Sequence, residues 1–286
     1  MKTYSEHYLE CRKKYQETYN LNELPNIDFL YNFTAFTAHP SKDNDILQFE
    51  DDYTEIINTM ATDLGNRFTI KSECWFPPGL DVNKDFAIRI KDIWSIKGAE
   101  EFCQRIIPQL EEKLFGSHVF VEGLYAYRNV YKSSDARSSW VWHYDNHPKE
   151  TIKVMVYLTD VVEESGAFEV MQKEDGSLLK FETTRVDHKK WSNINTRIEG
   201  SQLDNIRNLG FEPKKVLGDK GTICVFDNNI IHRASIPQEG FYRDAIVFMI
   251  RPCGDRISPF ISNEHTGTNY HVDLTVDPEH LGVQKR

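Results

Sequence analysis

Two histidines and one aspartate are the residues of this sequence best suited to metal chemistry. His143 and Asp145 form an H-x-D motif, and His232 follows much later in the chain. Residues two apart on a β-strand point to the same side, so a strand through the motif would place His143 and Asp145 together. Two imidazoles and one carboxylate suit a divalent iron held on one face, with the opposite coordination positions open. The residue types therefore predict an iron site; the alternatives are an exposed strand edge for the motif and a core position for His232.

An arginine follows His232 at a spacing of eleven residues (243 − 232 = 11). Arg243 begins a predicted strand in which Ala245, Val247 and Met249 lie on the same face. A guanidinium among small and apolar side chains is costly to bury unless it meets an anion. Arginine binds carboxylates through two parallel hydrogen bonds, so Arg243 predicts a pocket for a dicarboxylate co-substrate.

The first third of the chain is predicted to be mostly helical. Apolar spacing indicates helices over residues 4–19, 51–64 and 96–115, and Pro108 predicts a kink or a division in the last of these. Residues 25–42 indicate coil with short extended pieces. We expect these elements to support the part of the protein that carries the candidate ligands.

The period of the hydrophobic pattern changes to two in the middle of the chain. Many short strands without helices between them are typical of a β-sandwich or a jelly roll. Residues 173–217, by contrast, are polar and charged with little strand pattern, which indicates an insertion. The predicted strands cover residues 118–131, 138–145, 151–159, 166–171, 221–226, 230–236 and 241–251.

The composition argues against several classes of protein. The 286 residues carry a formal net charge of −10, which does not favour a nucleic-acid partner. No apolar stretch approaches the roughly 18 residues that a membrane span needs, and the N-terminal residues lack the apolar segment of a secretory signal. Five widely spaced cysteines without a C-x-x-C pair indicate reduced thiols. We expect a cytoplasmic protein with a small-molecule substrate.

Taken together, these motifs resemble the Fe(II)/2-oxoglutarate-dependent dioxygenases, and within them the phytanoyl-CoA dioxygenase-like (PhyH) group. The resemblance covers residues 118–252 and leaves out the N-terminal third and the 173–217 insertion. The residues that carry it are His143-Tyr144-Asp145, Ser165-Gly166-Ala167-Phe168, Gly218-Asp219 and Phe226-Asp227 before His232, and Arg243 at the eleven-residue offset.

The resemblance implies a mainly β fold, the double-stranded β-helix of the cupin-type jelly roll, with N-terminal helices packed on one sheet. It also implies a single oxygenase domain over residues 1–286. In this division a mostly helical part comes first, the jelly-roll core contains the insertion, and a tail ends the chain. The boundaries are 1–117, 118–252 with the insertion at 173–217, and 253–286.

Carried over position by position, the resemblance implies that His143, Asp145 and His232 bind Fe(II). Arg243 would hold the distal carboxylate of 2-oxoglutarate, and Tyr157 would form a wall of the co-substrate pocket. The implied reaction uses O2 to hydroxylate an unactivated C–H bond of a small-molecule metabolite, with release of succinate and CO2. Halogenating relatives replace the carboxylate ligand with a small residue, so Asp145 favours oxygen chemistry over halogen transfer.

Lys153 has two interpretations. It lies on the same side of its predicted strand as Met155 and Tyr157. Some oxygenases of this broad class hold the co-substrate carboxylate with a strand lysine, so Lys153 would assist or replace Arg243 if this side faces inward. The alternative is a solvated charge near the start of the strand.

His147 competes with the predicted ligands because it lies two residues after Asp145. Asn146 and Pro148 indicate that the strand has ended there, so we expect His147 beside the site or facing the substrate. The histidines that lie in polar stretches and are expected at the surface are His188, His265, His271 and His280.

Two positions depart from the pattern of the group. The residue two after His232, often one with a hydroxyl, is Ala234, which removes one hydrogen bond to the co-substrate. Residues 169–173 lack the usual Pro-Gly-Ser-His, so the lid over the site has no familiar sequence. Neither departure affects the three metal ligands.

The substrate-binding residues are less well defined. Arg128 and Arg137 are candidates to bind an anionic group, and the 173–217 insertion is either a substrate lid or a neutral decoration. Aromatic residues on strands more often form the core than a cleft. We apply that expectation to Tyr125, Tyr127, Trp140 and Trp142.

Two other functions are compatible with such a barrel. One is a cupin-type isomerase or hydrolase that uses another metal and no 2-oxoglutarate. The other is a non-catalytic barrel that binds a ligand or a partner. Arg243 argues against the first, and the intact set of three ligands argues against the second.

Overall fold

The computed structural model describes residues 3–75, 87–131, 138–186 and 195–256. Most of its helices precede the long strands, as the hydrophobic spacing predicts. The helices are Tyr4–Tyr19 (α1), Ile27–Asn32 (α2), Asp52–Arg67 (α3), Ala99–Leu110 (α4) and Ser201–Asn208 (α5).

Local sequence explains how these helices begin and end. Helix α1 starts with a capping box, in which the Glu6 backbone N–H donates to the Thr3 hydroxyl and the Thr3 N–H donates to the Glu6 carboxylate. Helix α4 contains Pro108 and is followed directly by a π-type turn over Glu111–Phe115. Proline removes a backbone donor, and such wider turns accommodate the change.

The strands form two antiparallel sheets. The larger has seven strands in the order β1-β8-β5-β10-β4-β3-β2, and the smaller has three in the order β7-β6-β9. The strands are Ala35–Ala38 (β1), Cys74–Trp75 (β2), Ala87–Ile90 (β3), His118–Val130 (β4), Ile152–Tyr157 (β5), Phe168–Gln172 (β6), Glu212–Val216 (β7), Ile223–Asp227 (β8), His232–Ala234 (β9) and Tyr242–Cys253 (β10).

The large sheet has two apolar faces with different partners. Because successive side chains alternate, Ile152, Val154 and Val156 of β5 join the cluster that contains the N-terminal helices. Met155 and Tyr157 of the same strand join a second cluster between the sheets. The large sheet is therefore covered by helices on one side and faces the small sheet on the other.

The helices contact the large sheet through aromatic and aliphatic side chains. Phe102 of α4 stacks on Phe248 of β10 with ring centroids 5.3 Å apart. On the other side of the sheet, Phe226 of β8 meets Phe168 of β6 with centroids 4.7 Å apart. These contacts confirm that the N-terminal helices pack on one sheet and that a core separates the two sheets.

Three expectations about local structure are wrong. Residues 138–145 do not form a strand: a 3-10 turn covers Ser138–Trp140, and His143 makes only isolated bridges. The insertion contains helix α5 and strand β7, which pairs with β6. Residues 25–42 contain α2 as well as the extended piece β1. Pairing with distant segments explains strands β1 and β7, whose local patterns are weak.

Candidate metal centre and co-substrate pocket

The three predicted metal ligands come together between the two sheets. Nε2 of His143 lies 3.8 Å from Oδ1 of Asp145, and Nε2 of His232 lies 3.7 Å from Oδ2 of Asp145. All three ligand atoms lie within 4.8 Å of one another. Both histidines are buried, and Asp145 is mostly so. One ion can contact all three side chains from a single side.

Backbone pairing, not a continuous strand, holds the ligands in register. The His143 N–H donates to the His232 carbonyl at 3.0 Å, and the His232 N–H donates back to the His143 carbonyl at 2.9 Å. The Asp145 N–H donates to the Asn228 carbonyl at 2.9 Å. Residues directly opposite in an antiparallel pair point to the same side, so the pairing aligns the two imidazoles.

The backbone also sets the tautomer of both imidazoles. Nδ1 of His143 lies 2.8 Å from the Val141 carbonyl, and Nδ1 of His232 lies 2.9 Å from the Ile230 carbonyl. A carbonyl oxygen only accepts, so each Nδ1 carries the proton and each Nε2 presents a lone pair. Such partners orient metal-binding histidines and fix their tautomer.

Burial keeps the imidazoles neutral, and nearby positive charge keeps the aspartate ionised. Burial lowers the pKa of His143 to about 3, with the neighbouring His232 lowering it further. Burial likewise lowers the pKa of His232. For Asp145, burial alone would raise the pKa, but the charge of Lys153, together with smaller effects of the neighbouring histidines, holds it well below the usual range. At neutral pH the site has two neutral nitrogen donors and one carboxylate.

Lys153 lies at the metal centre and is not a solvated charge. Its Nζ donates to Oδ2 of Asp145 at 2.5 Å, and its side chain is 15% exposed. Strand β5 turns Lys153 to the same side as Met155 and Tyr157. Lys153 therefore has the inward orientation that would let it assist Arg243. The hydrogen-bond partner of Lys153 in this orientation is Asp145.

Arg243 is buried between the sheets, and no acidic residue in the described part of the chain pairs with it. It is 1% exposed, and its Nε and Nη1 atoms have no hydrogen-bond partner. Its guanidinium lies 5.7 Å from the Tyr127 ring centroid and 5.6 Å from that of Tyr157. A buried cation with unused donors is costly. The pocket around Arg243 therefore carries a positive charge that a bound carboxylate would neutralise.

Tyr157 forms one wall beside Arg243. Its hydroxyl donates to the Val216 carbonyl at 2.8 Å and accepts from the Phe168 N–H at 3.4 Å. Burial raises the pKa of Tyr157 above its usual value, so the phenol remains protonated. The hydroxyl ties β5 to the small sheet next to the guanidinium.

Other candidate residues have structural partners. His147 is tied to Asn229 by two hydrogen bonds of 3.0 and 2.9 Å through its backbone, and it does not belong to the three-ligand group. Arg128 binds both oxygens of Asp244, at 2.7 and 2.8 Å, so it is a structural residue. The candidates that lie outside the described residues are Arg137, His188, His265, His271 and His280.

The four aromatic candidates divide between core, pocket and surface. Trp140 and Trp142 are buried, and Trp140 donates from its indole to Asn129 at 3.0 Å. Tyr127 borders the Arg243 pocket, whereas Tyr125 is 41% exposed. The expectation of a core role is thus met by the two tryptophans.

The two positions that depart from the family pattern both lie in or next to the small sheet. Residues 169–172 belong to strand β6, whose Glu169 pairs with Arg233 of β9 at 2.6 Å, so this segment is part of the small sheet. Ala234 lies opposite Phe168 in the same sheet. The hydroxyl of the following Ser235 donates to the Ala167 carbonyl at 2.9 Å.

Sequence reasoning missed one charged residue next to the metal centre. Arg197 lies directly opposite His143 in an isolated antiparallel bridge. Its position in the polar insertion has no periodic pattern, and the sequence contains no signal that connects it with His143.

Comparisons with known proteins are informative only at the level of structure. The chain matches no protein-family model and no curated protein. EctD from S. alaskensis, solved with 2-oxoglutarate and 5-hydroxyectoine, is 14% identical and has a TM-score of 0.52, covering 85% of this chain and 83% of its own. The epimerase SnoN, solved with Fe3+, alpha ketoglutarate and nogalamycin RO, is 12% identical with a TM-score of 0.54, covering 86% and 92%.

These similarities confirm the predicted fold class. The two antiparallel sheets with flanking N-terminal helices have the architecture of these structures, a jelly roll of the double-stranded β-helix type. Among the described residues, no helix combines the length and the apolar character that crossing a membrane requires.

Proposed function

We propose that this protein is an Fe(II)- and 2-oxoglutarate-dependent oxygenase of the phytanoyl-CoA dioxygenase-like group, with a single oxygenase domain. It hydroxylates an unactivated C–H bond of a small-molecule metabolite. One observation carries the proposal: a facial set of two neutral imidazoles and a carboxylate lies between the same two sheets as a buried arginine that has no anionic partner among the described residues.

The donor set fits a ferrous ion. His143, Asp145 and His232 present two Nε2 lone pairs and one carboxylate from a single side, which is the ligand set of non-haem iron oxygenases. Hydrogen bonds from both Nδ1 atoms to backbone carbonyls prepare the imidazoles before any ion binds. EctD and SnoN, which share the fold, were solved with iron, with 2-oxoglutarate or with both.

The Arg243 pocket fits the distal carboxylate of 2-oxoglutarate. The Nε and Nη1 atoms of its guanidinium are buried donors without a partner, and a guanidinium is the side-chain group best suited to bind a carboxylate. Tyr127 and Tyr157 enclose the guanidinium and keep water from it. Lys153 brings a further positive charge to the metal end of the cavity.

A ferrous ion with bound 2-oxoglutarate supplies the power to activate O2, with succinate and CO2 as co-products. The protein's own residues hold and orient the reactants. Lys153 fixes one oxygen of Asp145, backbone carbonyls fix both imidazoles, and Arg243 anchors the far end of the co-substrate. Because an epimerase shares this fold, the outcome at the substrate depends on which C–H bond the pocket presents.

The proposal is tested first by binding. Anaerobic addition of Fe(II) and 2-oxoglutarate should give a weak visible absorption band from the chelate. In the Arg243→Ala variant, a much higher concentration of 2-oxoglutarate should be needed to form this band. Arg207→Ala is the matched control, because Arg207 is an exposed arginine of helix α5. Absence of the band, with no succinate formed under air across a broad substrate panel, would contradict the proposal.

The alternative is an isomerase or hydrolase that uses another metal and no 2-oxoglutarate. It shares the three ligands but gives Arg243 no role towards a co-substrate. An Arg243→Ala variant that binds 2-oxoglutarate as well as the unaltered protein would favour this alternative.

A further inference from the structure

We propose that Arg197 binds an oxyanion group of the primary substrate, so that this oxygenase acts on a carboxylate, sulfonate or phosphate. The inference rests on the proposed function and names the substrate class of the same site. It starts from where the backbone places Arg197.

Residues 196–198 run as a short antiparallel partner of residues 142–144. The Tyr144 N–H donates to the Thr196 carbonyl at 3.3 Å, and the Ile198 N–H donates to the Trp142 carbonyl at 2.9 Å. Between these two hydrogen bonds, Arg197 is directly opposite His143. Opposed residues of an antiparallel pair point to the same side, so Arg197 projects to the side of the His143 imidazole.

The pairing continues across the metal centre. His143 also lies opposite His232, which in turn lies opposite Val170 of β6. Arg197, His143 and His232 therefore form a row across the sheet, with their side chains on one face. The guanidinium is thus placed at the edge of the metal site, beside the position where a substrate must approach.

The Arg197 guanidinium has an unused donor that is buried. Its Nη1 atom is shielded from solvent and has no hydrogen-bond partner. Among the described residues, Arg243 is the other arginine that has buried donors without a hydrogen-bond partner. The buried donors of other arginines are used: Arg233 binds Glu169 at 2.6 Å and Arg251 binds Glu122 at 2.9 Å.

The charge balance around Arg197 favours an incoming anion. Burial lowers the pKa of Arg197, whereas the charges of Asp145 and, to a smaller extent, Glu199 raise it; the Arg197 charge in turn lowers the pKa of both His143 and His232. Glu199 forms no ion pair with Arg197 among the described residues, so the buried Nη1 donor stays unused. The guanidinium is therefore in electrostatic reach of all three ligands. Asp145 already pairs with Lys153 at 2.5 Å, so it does not neutralise Arg197. A substrate oxyanion would do so and fill the unused donor.

The two arginines with unused donors come from different sheets and have different neighbours. Arg243 comes from β10 in the large sheet and lies between the rings of Tyr127 and Tyr157. Arg197 comes from a segment paired with residue 143 at the edge of the small sheet. A co-substrate anchored by Arg243 leaves Arg197 for a second molecule.

The test uses fragments and does not require that the substrate be known. Anaerobic protein loaded with Fe(II) and 2-oxoglutarate is screened by thermal shift against carboxylates, sulfonates and phosphate monoesters, each paired with its neutral amide or alcohol analogue. We expect the anionic members to stabilise the protein and the neutral members to have little effect. The three anion types show which oxyanion the site prefers.

Two variants assign the binding to Arg197. Arg197→Gln should weaken the affinity for anionic fragments by at least about tenfold, as expected when one partner of a charged pair is removed. Arg207→Gln, which removes an exposed charge from the same insertion, should leave it unchanged. The 2-oxoglutarate requirement of the visible band should be the same in all three proteins.

Specific outcomes would overturn the assignment. One such outcome is that anionic fragments bind no more often than their neutral analogues, which includes the case in which no anion binds. Another is that anionic fragments bind the Arg197→Gln variant as tightly as the unaltered protein. A raised 2-oxoglutarate requirement in Arg197→Gln would instead assign Arg197 to the co-substrate. Absence of the visible band in the unaltered protein would contradict the proposed function itself, which separates the two failures.

Discussion

The cavity is built from two regions that hold their functional residues in different ways. On the large sheet, Lys153 and Arg243 extend from the long regular strands β5 and β10. On the opposite side, His143 and Asp145 lie in an irregular segment held by single bridges to residues 197 and 232 and by a bond to the Asn228 carbonyl. Regular strand pairing thus holds the residues of the large sheet, whereas a few specific contacts hold the segment that carries His143 and Asp145. Substitutions in the large sheet and in the metal-binding segment should therefore affect 2-oxoglutarate binding and metal binding differently.

The largest effect is expected for Asp145→Ala. Metal affinity should fall by more than the roughly 10–100-fold that loss of an outer partner costs, because a ligand is removed. Lys153 would be left without its partner, at a cost of about 3–5 kcal/mol in the free energy of unfolding. Calorimetric metal titration and chemical denaturation measure the two effects.

A double variant separates these two effects. Asp145→Ala with Lys153→Met should recover most of the stability because no unpaired ammonium remains, yet it should not recover metal binding. Metal binding that returns in the double variant would show that Asp145 is not a ligand.

Arg243→Ala should weaken 2-oxoglutarate binding by about 2–5 kcal/mol, as for a buried charge that loses its partner. Metal affinity should stay the same because Arg243 belongs to the other side of the cavity. Titration of the visible band with 2-oxoglutarate, and of the metal alone by calorimetry, gives both numbers. Equal losses in the two titrations would mean that the two regions are not independent.

Truncating the core behind each region tests the difference directly. Both variants remove buried side chains: Ile198→Ala next to the metal-binding segment, and Ile246→Ala in strand β10. Each should lower the free energy of unfolding by about 2–5 kcal/mol. Only Ile198→Ala should also weaken metal binding, because residue 198 pairs with residue 142 beside the ligands. A similar loss of metal affinity in both variants would refute the contrast.

Lys153→Met should have the smallest effect, about tenfold or 1.4 kcal/mol in 2-oxoglutarate affinity. Arg243 pairs with the distal carboxylate in this proposal, whereas Lys153 lies at the metal end, where its positive charge attracts the dianionic co-substrate. Affinity for the metal alone should change little, because the loss of the hydrogen bond that orients Asp145 is offset by the loss of an ammonium that repels the cation. Lys180→Met, which breaks the pair with Asp227 at 2.7 Å, is the matched control and should leave 2-oxoglutarate affinity unchanged.

Periodic patterns accounted for the parts of the fold that repeat. Alternating residues predicted the strands around Lys153 and Arg243, and apolar spacing predicted helices α3 and α4. The same reasoning was wrong for residues 138–145, which lack a continuous strand, and for β7 inside the insertion. Both segments take their structure from distant partners, which a local pattern does not contain.

By itself, the sequence determined which residue types could bind a metal and a dicarboxylate, and that Lys153 and Tyr157 share one side of a strand. Only the tertiary structure decided that Lys153 meets Asp145 and that Arg197 lies opposite His143. The physical reason is that side-chain direction along one strand follows from its repeat. Contact between separate segments depends instead on register, and isolated bridges set that register without leaving any repeat in the sequence.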